Sequence, residues 1–270
     1  MAIKAVDVKK LRDATGAGMM DAKKALTEAD GDFEKAVDLL RVSGAAKAAK
    51  RADREATNGL VASSGNALIQ LASETDFVAK NAEFVALGQA IAKAVDEAKA
   101  DDLARSLALT LDDGKTVEAA VNDLVAKIGE KIELAHVAYL EGPIDIYLHK
   151  RNPDLPPQVG VAVAYQGDAP EFMHSVALQI ASMSPTYLSQ DQVPQDVLDK
   201  EKLIAEETAR EEGKPDKIIP RIVEGRLNGF FKDVCLLDQP SIADDKKNIA
   251  KLAKENGVTI TKFVRFSAGA

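Results

Sequence analysis

Apolar positions recur along this chain with two different periods, and the switches between them mark out its elements. Up to about residue 44 the period is helical. Val8 and Leu11 share one face of a first helix that Asp7 is placed to cap, and Thr15-Gly16-Ala17-Gly18 interrupts it. Met19 to Ala29 predicts a second helix, stopped by Asp30-Gly31. In a third, Phe33, Ala36, Val37 and Leu40 fall at i, i+3, i+4 and i+7 as one apolar stripe, with Gly44 placed to end it. Residues 45–56 are rich in Ala, Lys and Arg and read as a helical linker.

Beyond the linker the period drops to two. Gly59-Leu60-Val61-Ala62-Ser63 and Ala67-Leu68-Ile69-Gln70-Leu71 flank Ser64-Gly65-Asn66, the pattern of a hairpin. The run closes at Ser73-Glu74-Thr75-Asp76-Phe77, and a helical pattern follows from Val78 to about Ala98, with Phe84, Leu87, Ile91 and Val95 on one face. Asp112-Asp113-Gly114 predicts a turn, Val117 to Ile128 a helix, and Ile132 to Leu140 a strand. After a Pro-rich loop, Val159 to Tyr165 predicts a strand that leads into a helix over 171–181. That helix opens with Glu171-Phe172 and echoes Glu83-Phe84, which points to two subdomains of related topology.

Residues 194–234 predict a helical hairpin. Val197, Leu203 and Ile204 lie on a Glu- and Lys-rich first arm, and Gly213-Lys214-Pro215 supplies a C-terminal Gly and an N1 Pro. Ile219, Ile222, Val223, Leu227, Phe230 and Phe231 stripe the second arm, where Pro220 demands a kinked first turn or a later start. Val258 to Phe266 returns as a strand. The whole pattern is α+β.

The passage from strand to helix at residues 73–80 is the most informative stretch. Thr75 or Asp76 is the natural N-cap, which puts Phe77 in the first turn. Phe77 then reads either as a plug in its own core or as a wedge aimed at another molecule, and periodicity alone favours the plug. Met19 and Met20 are about 100° apart on one helix and cannot both face inward, so at least one is expected near the surface. A flexible thioether there suits adaptable binding, while the other Met is equally suited to fill the core.

Composition narrows the chemistry. At 270 residues and 46% apolar the chain can bury a substantial core. No run approaches the about 18 apolar residues of a membrane span, and no signal-peptide pattern precedes the first helix, so the cytoplasm is the expected compartment. A single cysteine, Cys235, fits a reducing environment and reads as a buried thiol. The net charge of −8 argues against a broad nucleic-acid surface. The basic cluster Lys47-Ala48-Ala49-Lys50-Arg51-Ala52-Asp53-Arg54 has no aromatic for stacking and reads as a solvated linker rather than an RNA-contacting patch.

Enzyme motifs are wanting. Gly114-Lys115-Thr116 mimics the tail of a phosphate-binding loop, but Leu109 stands where the upstream Gly is required. His136, His149 and His174 have no ligand spacing between them. No catalytic residue, metal or cofactor is expected.

Two long motifs carry a family resemblance. Thr75-Asp76-Phe77-Val78-Ala79-Lys80 resembles the second signature of the elongation factor Ts family, guanine-nucleotide exchange factors of bacterial and organellar translation, with Ala72 departing from the Asn or Val usual before it. The stretch from Leu11 through Arg12, Gly16, Met19 and Met20 to Leu26 is similar to that family's N-terminal signature along its whole length. The resemblance implies a protein partner, elongation factor Tu, met in its GDP-bound and nucleotide-free states, with no covalent chemistry.

By the same resemblance, residues 1–44 form a ubiquitin-associated-like module, 45–56 a basic linker, and 57–141 the core N-subdomain. Residues 142–193 with 235–270 form the C-subdomain, and 194–234 a coiled-coil-like protrusion. Thr75, Asp76, Phe77 and Val78 are implied to dislodge the partner's Mg²⁺, and Leu11, Arg12, Gly16, Met19 and Met20 to dock on it, although periodicity reads Leu11 as core. Dimerisation is implied through the C-subdomain or hairpin. Longer relatives carry a further helical module, so the first module and the Thr75 corner are expected to bear more of the binding here. The competing expectation is a non-catalytic adaptor whose binding ignores nucleotide.

Overall fold

The computed structural model describes residues 3–49 and 53–269, and the chain divides into two compact units. The first comprises Met1–Tyr139, Leu148–Gly160 and Phe266–Ala270, the second Leu140–Tyr147 and Val161–Arg265.

Three helices open the first unit: α1 (Ala5–Thr15), α2 (Met19–Glu28) and α3 (Phe33–Ala49). Their stripes close on Val8, Leu11, Ala22, Leu26 and Ala36, with Phe33, Val37 and Leu40 packed around them. Asp7 does not cap α1. The helix begins earlier, after Lys4, and Asp7 lies in its first turn, where a carboxylate still faces the unpaired N–H groups. Nor does Gly44 end α3, which runs on to Ala49. The glycine serves close packing instead: a Cβ there would stand 2.8 Å from the Cβ of Ala126. Of the basic linker, residues 50–52 lie outside the described residues.

The rest of the first unit is a sheet with helices over it. It is built from β1 (Asn58–Ser64), β2 (Ala67–Ser73), α4 (Asp76–Ala79), α5 (Ala82–Ala98), α6 (Leu103–Leu107), α7 (Val117–Ile128) and β3 (Ile132–Tyr139). The sheet order is β1-β2-β3, antiparallel throughout. Central β2 is buried at every residue, so the alternation at its start does not separate a wet face from a dry one. Phe84, Ile91 and Val95 of α5 meet Leu60, Ile69 and Leu71 of the sheet in one core, joined by Val117, Val121 and Leu124 of α7. The helix expected from Val78 is in fact two. It breaks at Lys80, and Asn81 caps α5 by accepting from the Glu83 N–H at 2.8 Å.

The second unit repeats the order of parts. Its sheet is β4 (Ile144–His149), β5 (Val159–Gln166) and β6 (Thr259–Ser267), again with the second strand in the middle and a helix, α8 (Pro170–Met183), after it. Val161 and Val163 pack with Met173, Val176 and Ile180, and with Ile249 of α11 (Ile249–Glu255). Between α8 and α11 come α9 (Gln195–Glu211) and α10 (Ile219–Val234), which close on Ala205, Ala209, Ile219 and Val223. Pro215 does not start α10. The helix starts later, at Ile219, with Pro220 in its first turn, where a missing N–H costs no helical hydrogen bond. The strand β4 and the short helices α6 and α11 had no counterpart in the sequence pattern. Among the described residues no helix is long and apolar enough to cross a membrane.

Candidate functional site

The corner between β2 and α5 follows from strand register. Ser73, the last residue of β2, pairs with Ile132, the first of β3. Continuing that antiparallel register one step outward brings Glu74 beside Lys131, and a second step brings Thr75 beside Glu130. The side chains exploit both meetings. Glu74 accepts from the Lys131 N–H at 2.6 Å, and Glu130 accepts from the Thr75 N–H at 3.2 Å and from the Thr75 hydroxyl at 3.0 Å. Two acidic residues, one from each chain segment, thus bind the other segment's backbone. A bulge between Gln70 and Leu71 adjusts the β2–β3 pairing just before this point.

Further bonds close the corner. Arg54 pairs with Glu74 at 3.2 Å, Lys131 Nζ donates to the Arg54 carbonyl, and Asn58 Nδ2 donates to the Glu74 carbonyl. Ser73 Oγ donates to the carbonyl of Thr75. Of the two capping candidates, Thr75 is the cap: its hydroxyl oxygen accepts from the Val78 N–H at 3.4 Å.

On this base the four-residue α4 turns Val78 and Ala79 into the core and Phe77 out of it. Phe77 is 73% exposed, whereas Phe84, seven residues on, is fully enclosed. Phe77 is therefore not a core plug. The ammonium of Lys80 lies 4.7 Å from the ring centroid, a cation–π contact that props one face of the ring.

The residues of the N-terminal motif group around the α1–α2 connection. Gly16 ends α1 with φ 69°, a left-handed conformation that suits glycine, and donates its N–H to the Arg12 carbonyl at 2.7 Å. The stem of Lys127 lies across Gly16 where a side chain would stand, and its ammonium pairs with Glu83 at 2.6 Å. A cleft of about 580 Å³ runs along this seam, lined among others by Thr15, Gly16, Leu40 and Lys127. Arg12 is exposed, as are Met19 at 49% and Met20 at 76%, so both methionines face outward. Leu11 is fully buried, which corrects its expected place in a contact surface. Its side chain has no exposed surface to offer, and periodicity had assigned it to the core.

The remaining candidates are structural in their surroundings. Thr116 caps α7 by accepting from the Ala119 N–H, Gly114 sits in the preceding turn, and Lys115 pairs with Asp123. His174 lies 3.3 Å from Asp145, and His136 stacks on Phe266. Cys235 is enclosed, and burial, aided by Asp238 and Asp191, pushes its thiol up to about 11. No group of three or more His, Cys, Asp or Glu poised for a metal occurs among the described residues. Sequence reasoning missed Glu130, Lys131 and Arg54. The signal for Glu130 was its place just before a strand, and it becomes legible only once β3 is known to pair with β2.

Comparison with known proteins agrees with the two motifs. The family model described as "Elongation factor TS" matches residues 74–270. The chain is 64% identical to the elongation factor Ts of Cutibacterium acnes over 269 residues, 100% of both chains. It is 57% identical to that of Mycolicibacterium smegmatis over 269 residues, and 54% identical to that of Nocardia farcinica over 268, in each case with 98% of both chains covered. A match over that span, with relatives this similar from end to end, means that the chain belongs to the elongation factor Ts family of translation elongation factors.

Proposed function

We propose that this protein binds elongation factor Tu and hastens release of its GDP without covalent chemistry. A GTPase holds GDP through phosphate-loop N–H groups and a Mg²⁺ that bridges phosphate and protein oxygens. Whatever binds the nucleotide-free form better than the GDP form must weaken GDP by the same factor. The observation that carries the reading is the Phe77 ring, exposed on a turn whose backbone is fixed by Thr75 and by buried Val78. In this reading the ring inserts near the Mg²⁺ and phosphate end of the partner's site. Asp76 shares the approaching turn.

Burial of one Phe is worth about 1.5–3 kcal/mol, and each ~1.4 kcal/mol of differential affinity loosens GDP tenfold. The wedge alone therefore supplies roughly ten- to hundredfold. Helices α1–α3, read as a ubiquitin-associated-like module, dock on the partner through Arg12, Gly16, Met19 and Met20, with Leu11 supporting that surface from beneath. Helices α9 and α10 are read as the coiled-coil-like protrusion of a C-subdomain. Exposed Leu203 and Ile204 on α9 support a second copy docking on this half of the chain.

The test is stopped-flow release of fluorescent GDP from elongation factor Tu. Phe77→Ala is expected to fold normally and lose ten- to hundredfold in the release rate. Release at the wild-type rate removes the wedge. Binding that is indifferent to nucleotide would favour the adaptor.

A further inference from the structure

We propose that Glu130 is a positioning residue for nucleotide release, holding the Thr75 corner so that the Phe77 ring is presented in one direction before any partner arrives. The proposal rests on the wedge reading of Phe77. An exposed ring has little packing to fix its heading, so its direction is that of α4. A four-residue helix has too few internal hydrogen bonds to hold itself and depends on its anchors. One anchor is the burial of Val78 and Ala79. The other is Thr75, and Thr75 depends on Glu130.

The chemistry at Thr75 explains why a carboxylate is needed. A hydroxyl has one proton and two lone pairs. Glu130 takes that proton with both carboxylate oxygens at 3.0 Å, which turns a lone pair of Thr75 Oγ1 toward the Val78 N–H. The same carboxylate accepts the Thr75 N–H. Glu130 thus orients the cap and occupies the backbone group just before α4. Without it the hydroxyl can rotate toward water, while Val78 stays buried and the core is untouched. Glu74 supplies the reciprocal bond to Lys131, so the two segments remain joined when either acid is lost. A ring already held in its docking direction loses less freedom on binding, and that saving appears as faster release.

Stopped-flow release of fluorescent GDP from elongation factor Tu, over a range of concentrations of the full chain, gives a maximal rate and a half-saturating concentration. Glu130→Ala should lower the maximal rate about tenfold, the loss of one charge-assisted anchor, with the half-saturating concentration unchanged. Glu130→Gln, which keeps one acceptor oxygen, should recover most of that loss. Glu130→Asp is one methylene too short and should behave as Glu130→Ala if the latter does not fold. In a Phe77→Ala background Glu130→Ala should cost nothing more. Hydrogen exchange should quicken at the Thr75 and Val78 amides and stay as it was at Leu71 and Ile91.

Wild-type release by Glu130→Ala beside an impaired Phe77→Ala overturns the positioning role and leaves the wedge standing. An equal loss with and without Phe77 marks Glu130 as a support of the fold and also overturns it. Wild-type release by Phe77→Ala removes the wedge, and the role of Glu130 in release with it.

Discussion

Both units pass from the middle strand of a three-stranded sheet into a covering helix, β2 to α5 and β5 to α8, but by different routes. In the second unit the passage is short: Gly167, Asp168 and Ala169 lead to Pro170, which starts α8, and Phe172 packs against its own core. In the first unit an extra turn, α4, stands between strand and helix, and a second phenylalanine rides on it. Phe84 occupies the place that Phe172 holds in the echo, so the core's demand for a ring is already met. Phe77 is surplus to the fold. The proposed wedge is separable from the scaffold in this arrangement, because it sits on a turn between elements that pack without it.

The sharpest way to break the comparison is to truncate all three rings. Phe84→Ala should cost about 3–5 kcal/mol of stability by opening a cavity in the first unit's core. Phe172→Ala, at a half-buried site, should cost less, and Phe77→Ala should stay within about 0.5 kcal/mol. Urea unfolding followed by circular dichroism would rank them. A Phe77→Ala loss as large as that of Phe84→Ala would mean that the ring supports the fold and that the two corners differ less than their exposure indicates.

Much of this was legible in the sequence, for reasons that also mark its limits. The helix over Val117–Ile128 and the hairpin of β1 and β2 follow from local period and from turn residues, which act over a few positions. The Thr75 cap was one of two local candidates, and the structure decides between them. Gly44 misled because a glycine that permits close approach looks the same in sequence as one that ends a helix. The short helices α6 and α11 are held by Asp102 and Asn248 caps and by packing, with too few turns to show a period. Glu130 was invisible for a different reason. Its meaning lies in the register between strands some sixty residues apart in sequence, which no local pattern carries.

The second unit's closed interior offers a smaller effect of its own. Burial raises the Cys235 thiol from 9.0 to about 11, so the folded chain keeps a proton that the unfolded chain gives up. Stability from this group is complete below pH 9 and is lost as pH rises toward about 11, by ~3 kcal/mol at most. Cys235→Ser should flatten that decline. Iodoacetamide should label the native thiol far more slowly than the urea-unfolded one at pH 8. Fast native labelling would show that the second unit is not closed at this point.

The smallest effect separates two ways in which the N-terminal helices are held to the first unit's core. One is the stem of Lys127 laid over Gly16, a lysine that pairs with Glu83 between α7 and α5; the other is the approach of α3 to α7 at Gly44 and Ala126. Both charges of the pair are about half exposed, so the pair is worth about 0.5 kcal/mol or less and weakens with salt. Glu83→Gln should lower the melting temperature by a degree or two at low ionic strength, and by less in high salt. The van der Waals contact at Gly44 does not screen, so Gly44→Leu should destabilise equally at both salt concentrations and by more. If Glu83→Gln proves the costlier change, the module is latched by charge, and the second unit, which has no such module to hold, should be the less salt-sensitive of the two.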